Sequence, residues 1–150
     1  MRFIFIILII GSLVSCKSAD IMDNRLPVDS KISSICIEKY PSLMSDLLDA
    51  IVLKTSKIGI NSIIIDQNKP CDVHYTLKYN AEWSFRFSLP TPVYLKALDF
   101  DLYQDTNKIS SMSYYYYNPS SLLFIDFTGT YGANDKVDTL LSRMFSNNKP

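Results

Sequence analysis

Histidine is nearly absent from this chain, and neither sign of charge is in excess. His74 is the only histidine among 150 residues, and fifteen basic side chains balance fifteen acidic ones. Lys and Arg never form a run, whereas a nucleic-acid binder shows a basic face or stripe; nucleic acid is not an expected partner. Glycine is scarce, with four in all, and no phosphate-cradling loop of the P-loop or GxGxxG kind occurs. Neither the GxSxG nor the HExxH pattern is present. One histidine and three cysteines are also a poor set for a tetrahedral metal site, so neither metal nor cofactor is expected. The length allows one domain.

What the chain does have is a distinctive start. Met1-Arg2 is a short positive opening, Phe3 to Ile10 is unbroken apolar sequence, and Gly11-Ser12 closes the run. That run suits the core of a signal peptide and is too short to span a bilayer. Leu13-Val14-Ser15-Cys16 then resembles a lipobox, with a small residue before the cysteine that becomes lipidated. Residues 1–15 are therefore expected to be a lipoprotein signal peptide, and Cys16 the acylated first residue of the mature chain. Several acyl chains, at about 0.8 kcal/mol per buried CH2, would hold the domain on a membrane. Lys17 after the cysteine resembles the outer-membrane default, since Asp at that place usually favours inner-membrane retention. The mature part keeps 14 of the 15 basic residues, having lost Arg2, and all 15 acidic ones, a net charge of −1.

Residues 17–31 show no sustained periodicity and contain Pro27. They read as a flexible tether with a root-mean-square span of roughly 20 Å, leaving residues 32–150 as one domain. Export would place Cys36 and Cys71 in an oxidising space. With Cys16 lipidated, one even pair remains, and a bond closing about 35 residues would stabilise the fold by on the order of 4 kcal/mol in the chain-entropy model. The alternative is two separate buried thiols.

Periodicity outlines the domain. Ile35-Cys36-Ile37 has a strand-like core, and Pro41-Ser42 opens a helix on which Leu43, Leu47 and Ile51 keep helical spacing. Gly59 stands where a left-handed residue ends such a helix. Ile63-Ile64-Ile65 reads as a short buried strand. From Val73 to Phe87, apolar and polar residues alternate strictly, which means a long strand with one dry and one wet face. Its length predicts a bulge, placed near Asn80-Ala81. Tyr94 to Tyr103 forms another strand, and Asp105-Thr106-Asn107 turns tightly into Ile109 to Tyr117. Val137, Leu140, Leu141 and Met144 form the apolar stripe of a last helix capped by Asn134 or Asp135. The expected fold is α+β, a mainly antiparallel sheet in the order β-α-β-β-β-β-α with two helices packed on one face.

The stretch Ile35-Cys36-Ile37-Glu38 before a Pro-started helix, then Cys71 leading into Tyr75-Thr76-Leu77-Lys78-Tyr79-Asn80-Ala81-Glu82-Trp83, and the Lys136-Val137-Asp138 to Leu141 segment together resemble a family of small outer-membrane lipoproteins. The resemblance supports the Cys36–Cys71 pairing and the architecture. That family carries no established activity, so it transfers no catalytic residue. At the level of fold alone the chain is similar to envelope-assembly lipoproteins that pack two helices on a small sheet.

Candidate chemistry is thin. His74 falls on the polar side of the long strand with no nucleophile beside it in any motif, and Asp99 and Asp101 share a strand face without a third ligand. The aromatics say more. Tyr114, Tyr115, Tyr116 and Tyr117 put two rings on each side of one strand. If helices cover one side, the uncovered pair offers an apolar but hydrogen-bonding surface suited to protein or glycan contacts; the competing use is cross-strand packing. The expected function is a non-enzymatic accessory or binding module, held by its lipid at the outer membrane and recruiting an envelope protein or a cell-wall glycan. The alternative is a surface-tethered hydrolase, which a buried, mutually hydrogen-bonded His–carboxylate cluster would favour.

Overall fold

The computed structural model describes residues 19–27, 31–40, 46–85, 93–116 and 131–148. The expected leader, Cys16, the Pro41-Ser42 helix start and Tyr117 lie outside these residues. Eight elements run in the order β1 (Ala19–Asn24), β2 (Ser34–Lys39), α1 (Asp46–Lys57), β3 (Asn61–Asp66), β4 (Tyr75–Phe85), β5 (Val93–Gln104), β6 (Asn107–Tyr116) and α2 (Tyr131–Met144). The strands form one sheet in the spatial order β1-β6-β5-β4-β2-β3. β1, β6, β5 and β4 pair antiparallel, and β4, β2 and β3 pair parallel. This is the expected α+β class, with its two helices, and β2 stands between β3 and β4 as the cysteine pairing requires.

Helix α1 forms because Leu47, Ile51 and Thr55 recur every fourth residue and line one buried stripe. Acidic Asp46 and Asp49 sit in its first turn and Lys54 and Lys57 in its last, each at the end of the helix dipole that favours it. The helix stops at Gly59, whose φ of 79° is the left-handed conformation that glycine adopts freely. Ile60 N–H donates to the Thr55 carbonyl at 2.9 Å and Gly59 N–H to the Ser56 carbonyl at 3.0 Å, the double closure of a Schellman end. Ile60 beyond it is buried.

Both helices lie over the same face of the sheet. Ile35, Ile37, Leu77, Leu98, Phe100, Leu102 and Met112 point to that side and meet Leu47 and Ile51 of α1 and Val137, Leu140, Leu141 and Met144 of α2 in one core. Leu95 and Leu98 are three residues apart, yet both are buried, which strict alternation forbids. The register explains it: Glu82 pairs with Ala97 and Trp83 with Leu95, so Lys96 is an extra residue. This bulge turns the strand by one residue and lets both leucines face inward. It falls between Glu82 and Trp83, two residues beyond the expected place.

Three expectations need correction. First, Ala19–Asn24 is no tether: it pairs along the whole of its length with β6 from Tyr116 to Ser111. The following residues are tied down as well. Leu26 is buried, Asn147 Nδ2 donates to its carbonyl at 2.9 Å, and Asn148 both accepts from Ile32 N–H at 2.7 Å and donates to the Ile32 carbonyl at 2.9 Å. The contacts come from the far end of the chain, and local periodicity carries no trace of them. Second, Ile63-Ile64-Ile65 is not a buried strand. β3 is the sheet edge, and Ile63 and Ile64 are 39% and 51% exposed; an apolar run reads the same whether its neighbours are on one side or both. Third, α2 begins at Tyr131, so the proposed caps Asn134 and Asp135 stand three and four residues inside the helix.

The connection from β3 to β4 has an unusual construction. β3 and β4 run parallel on either side of β2, so the chain must return the length of a strand, and a helix normally does this. Here residues 67–74 do it without one. Asn68 N–H donates to Glu38 Oε1 at the end of β2, at 3.3 Å. Further back, Cys71 bonds Cys36 with S–S 2.04 Å and Cα–Cα 6.0 Å. Cys36 alternates with Ile35 and Ile37 and so points away from the helices, yet it is fully buried. The return segment is what covers it. The disulfide fastens this segment to the sheet.

Candidate functional site

The helices cover one face of the sheet, and the return segment covers the other only over β2. Across β4, β5 and β6 that second face is open among the described residues. Alternation fills it with charge and aromatic rings. Lys78 Nζ pairs with Glu38 at 2.8 Å and Lys96 Nζ with Glu82 at 2.6 Å. Asp101 accepts from Ser111 at 2.7 Å and lies 3.4 Å from Lys108. Lys78 stands 5.6 Å over the ring of Tyr103, and Lys96 stands 5.9 Å over that of Tyr115. The bulge that buries Leu95 and Leu98 is also what delivers Lys96 to Tyr115.

The four tyrosines are divided by this geometry. Tyr114 is 5% exposed in the core, with Lys136 of α2 4.8 Å over its ring. Tyr116 packs against the same core, half-buried. Tyr115 faces the other way and is 43% exposed. The uncovered member is therefore Tyr115, and Tyr103, half-buried on the neighbouring strand, is an open-face ring that the tyrosine run did not point to. Knowing that β5 pairs antiparallel with β6 would have found it, because the register sets both odd-numbered tyrosines on one side.

Adjacent residues on the two faces both hold their protons more tightly than usual, for different reasons. Tyr79 hydroxyl is pushed above its ordinary range by burial, against a smaller opposing hydrogen bond from the Tyr40 backbone. Lys78 is raised chiefly by its hydrogen bond to Glu38, against a smaller cost of burial.

His74 Nδ1 lies 3.0 Å from Asp105 Oδ1, but the two side chains are 82% and 64% exposed. A pair so open to water lacks the burial that a catalytic histidine–carboxylate couple uses to fix its geometry, and it gives a tethered hydrolase no support. A concavity of about 470 Å³ lies between α1 and α2, with Asp46, Asp49, Asp135 and Lys57 among its lining residues. Lys54 bridges the helices there to Asp138 at 2.6 Å. Among the described residues no group of three or more His, Cys, Asp or Glu could hold a metal ion, and no helix is long and apolar enough to cross a membrane.

Comparison with known protein families gives no match, and neither does comparison with curated proteins. Solved structures do resemble this one. A PelC variant dodecamer from Paraburkholderia phytofirmans shares the fold with a TM-score of 0.61 at 12% identity, covering 89% of this chain and 100% of that one. A second PelC dodecamer from the same organism gives 0.54 at 11% identity, over 87% of this chain and 99% of that one. A minor lipoprotein from Acinetobacter baumannii matches at 0.39 and 13% identity, over 76% and 90%.

Proposed function

We propose that this chain is a lipid-anchored accessory protein of the bacterial cell envelope. Cys16 holds it at the outer membrane, and the open sheet face binds an envelope protein or a cell-wall glycan without carrying out a reaction. The observation that carries the reading is Tyr115. A large ring with a hydroxyl stands 43% exposed on a face that the helices leave uncovered, with Lys96 over it; Tyr103 shares that face but lies six residues further along β5 than the partner of Tyr115. Tyrosine in such a place supplies contact area and a hydrogen bond at low cost in side-chain entropy, and the Lys96–Glu82 pair beside it supplies a polar rim.

The test uses the full-length protein in intact cells, with crosslinking and mass spectrometry of what is captured. Tyr115→Ser should leave stability within about 0.5 kcal/mol of wild type, as for surface substitutions generally, and should lose the captured partner. Tyr114→Ser, one residue away, should instead destabilise the fold. Unchanged capture by the Tyr115 variant would place the binding surface elsewhere. Anchoring is checked separately: labelled fatty acid should enter wild type and be absent from Cys16→Ser, and a labelled Ser variant would contradict the lipobox reading.

A further inference from the structure

The two edges of the sheet are built differently. β1, at one edge, carries Asp20 and Asp23 in its six residues, and charges of that kind discourage a further strand. β3, at the other, reads Asn-Ser-Ile-Ile-Ile-Asp. It has no proline or lysine, and its one charge stands at the last position. Ile63 and Ile64 are exposed there, and no described strand pairs with its outer side. An edge of this sort is a template for strand addition.

Backbone parity shows which groups the edge offers. Asn61 N–H donates to the Ser33 carbonyl beside β2. In an extended strand a residue's N–H and C=O point the same way and successive residues alternate, so residues 61, 63 and 65 bond to β2. Ser62, Ile64 and Asp66 then present their peptide groups outward, although the Asp66 carbonyl is taken by Lys69 N–H at 3.1 Å. The side chains alternate as well: Ser62 faces the helices, where its Oγ meets Thr55 Oγ1 at 2.5 Å, and Ile64 shares that face. Ile63 and Ile65 share the opposite face with Cys36 and Glu38.

We propose that β3 pairs with β3 of a second copy of this chain, antiparallel about a two-fold axis through Ile64, joining two sheets into one. Charge selects the direction. Parallel pairing in register would set Asp66 against Asp66 at about 4.8 Å, whereas the antiparallel arrangement separates the two carboxylates by more than a Debye length. Side-chain matching selects the register. Centred on Ile64, the pairing sets Ile64 against Ile64, Ile63 against Ile65, and Asp66 against the Ser62 hydroxyl. Ile64 exchanges both of its peptide hydrogen bonds with its twin, and Asp66 N–H meets the Ser62 carbonyl at each end. Centring on Ile63 instead would put Ser62 against Ile64 and Asn61 against Ile65, polar against apolar. Such an interface is isologous and closes at two. It lies at the sheet edge and leaves Tyr115, on the far strands, free for the partner proposed above.

The experiment uses the full-length lipidated protein in its own membrane under mild oxidation. In the proposed register Ile64→Cys brings two thiols together across the axis, with Cα atoms about 5.5 Å apart, inside disulfide range; a reducible band of doubled mass is expected. Ser62→Cys places its thiols four residues apart along the ladder, about 13 Å, and should stay monomeric. Ile64→Lys should abolish co-purification of two differently tagged copies. Equal crosslinking at both positions, no Ile64→Cys dimer, or capture of a different protein by that cysteine would overturn the proposal. Persistence of co-purification in the folded Ile64→Lys protein would do so too. If the lysine variant fails to form its Cys36–Cys71 bond, the two cysteine variants decide alone.

Discussion

The sheet has two faces made from the same strands, and they do opposite jobs. Phe100 and Asp101 are neighbours, as are Tyr79 and Lys78, and Tyr114 and Tyr115. In each pair the first member is sealed under the helices and the second lies on the open face. The covered face is continuous and apolar, and its residues gain roughly 1.5–3 kcal/mol each from burial. The open face is a mosaic of ion pairs, most of them half in water, and exposed ion pairs contribute about 0–1 kcal/mol. Apart from the disulfide over β2, stability therefore resides on one side of the sheet, which leaves the open stretch of the other side free to be shaped by binding. Tyrosine serves in both places because its ring can pack while its hydroxyl can stay wet.

The largest effect that would sharpen this contrast is at Phe100. Phe100→Ala should cost about 3–5 kcal/mol in denaturant unfolding, while Asp101→Ala should stay under about 1 kcal/mol. Comparable losses would mean that the open face is as structural as the covered one. The disulfide comes next, because it fastens the return segment that covers this second face over β2. Replacing Cys36 and Cys71 together by Ala should lower stability by about 2–4 kcal/mol and make residues 67–74 a preferred site of proteolysis; an unchanged midpoint would show that the return segment holds itself. The smallest effect is alkaline. Tyr79 and Lys78 both keep their protons more tightly folded than unfolded, so their contribution is fully present below the ordinary values of 10.0 and 10.5. It declines as pH rises past them. Glu38→Gln should remove the Lys78 share and leave that of Tyr79, which melting curves between pH 9 and 11 would separate.

Much of the covered face was legible in residue order. The alternation from Val73 onward set Leu77 and Tyr79 inward, the spacing of Leu47 and Ile51 gave α1, and the stripe from Val137 to Met144 gave α2. Gly59 was readable as a helix end because few residues tolerate positive φ. The open face was half legible. The tyrosine run offered two rings to each side of its strand, but whether a pair stayed uncovered, and which, depended on where the helices sat. Tyr103 entered only through the β5–β6 register, and Lys96 only through a bulge that strict alternation does not contain.

The sequence by itself determined the dry and wet sides of α1, β4 and α2, the candidacy of Cys36 and Cys71 as a pair, and the class of fold, because periodicity, turn chemistry and a cysteine count are local or arithmetical properties. Tertiary structure alone decided that β3 is an edge, that β1 continues the sheet beyond β6, and that Asn147 and Asn148 clasp the chain near its other end. Each of these depends on what lies across a gap of many residues. An isoleucine run is equally apolar at an edge or in a centre, and an asparagine amide can satisfy any backbone group it reaches. Only the arrangement of neighbours determines which.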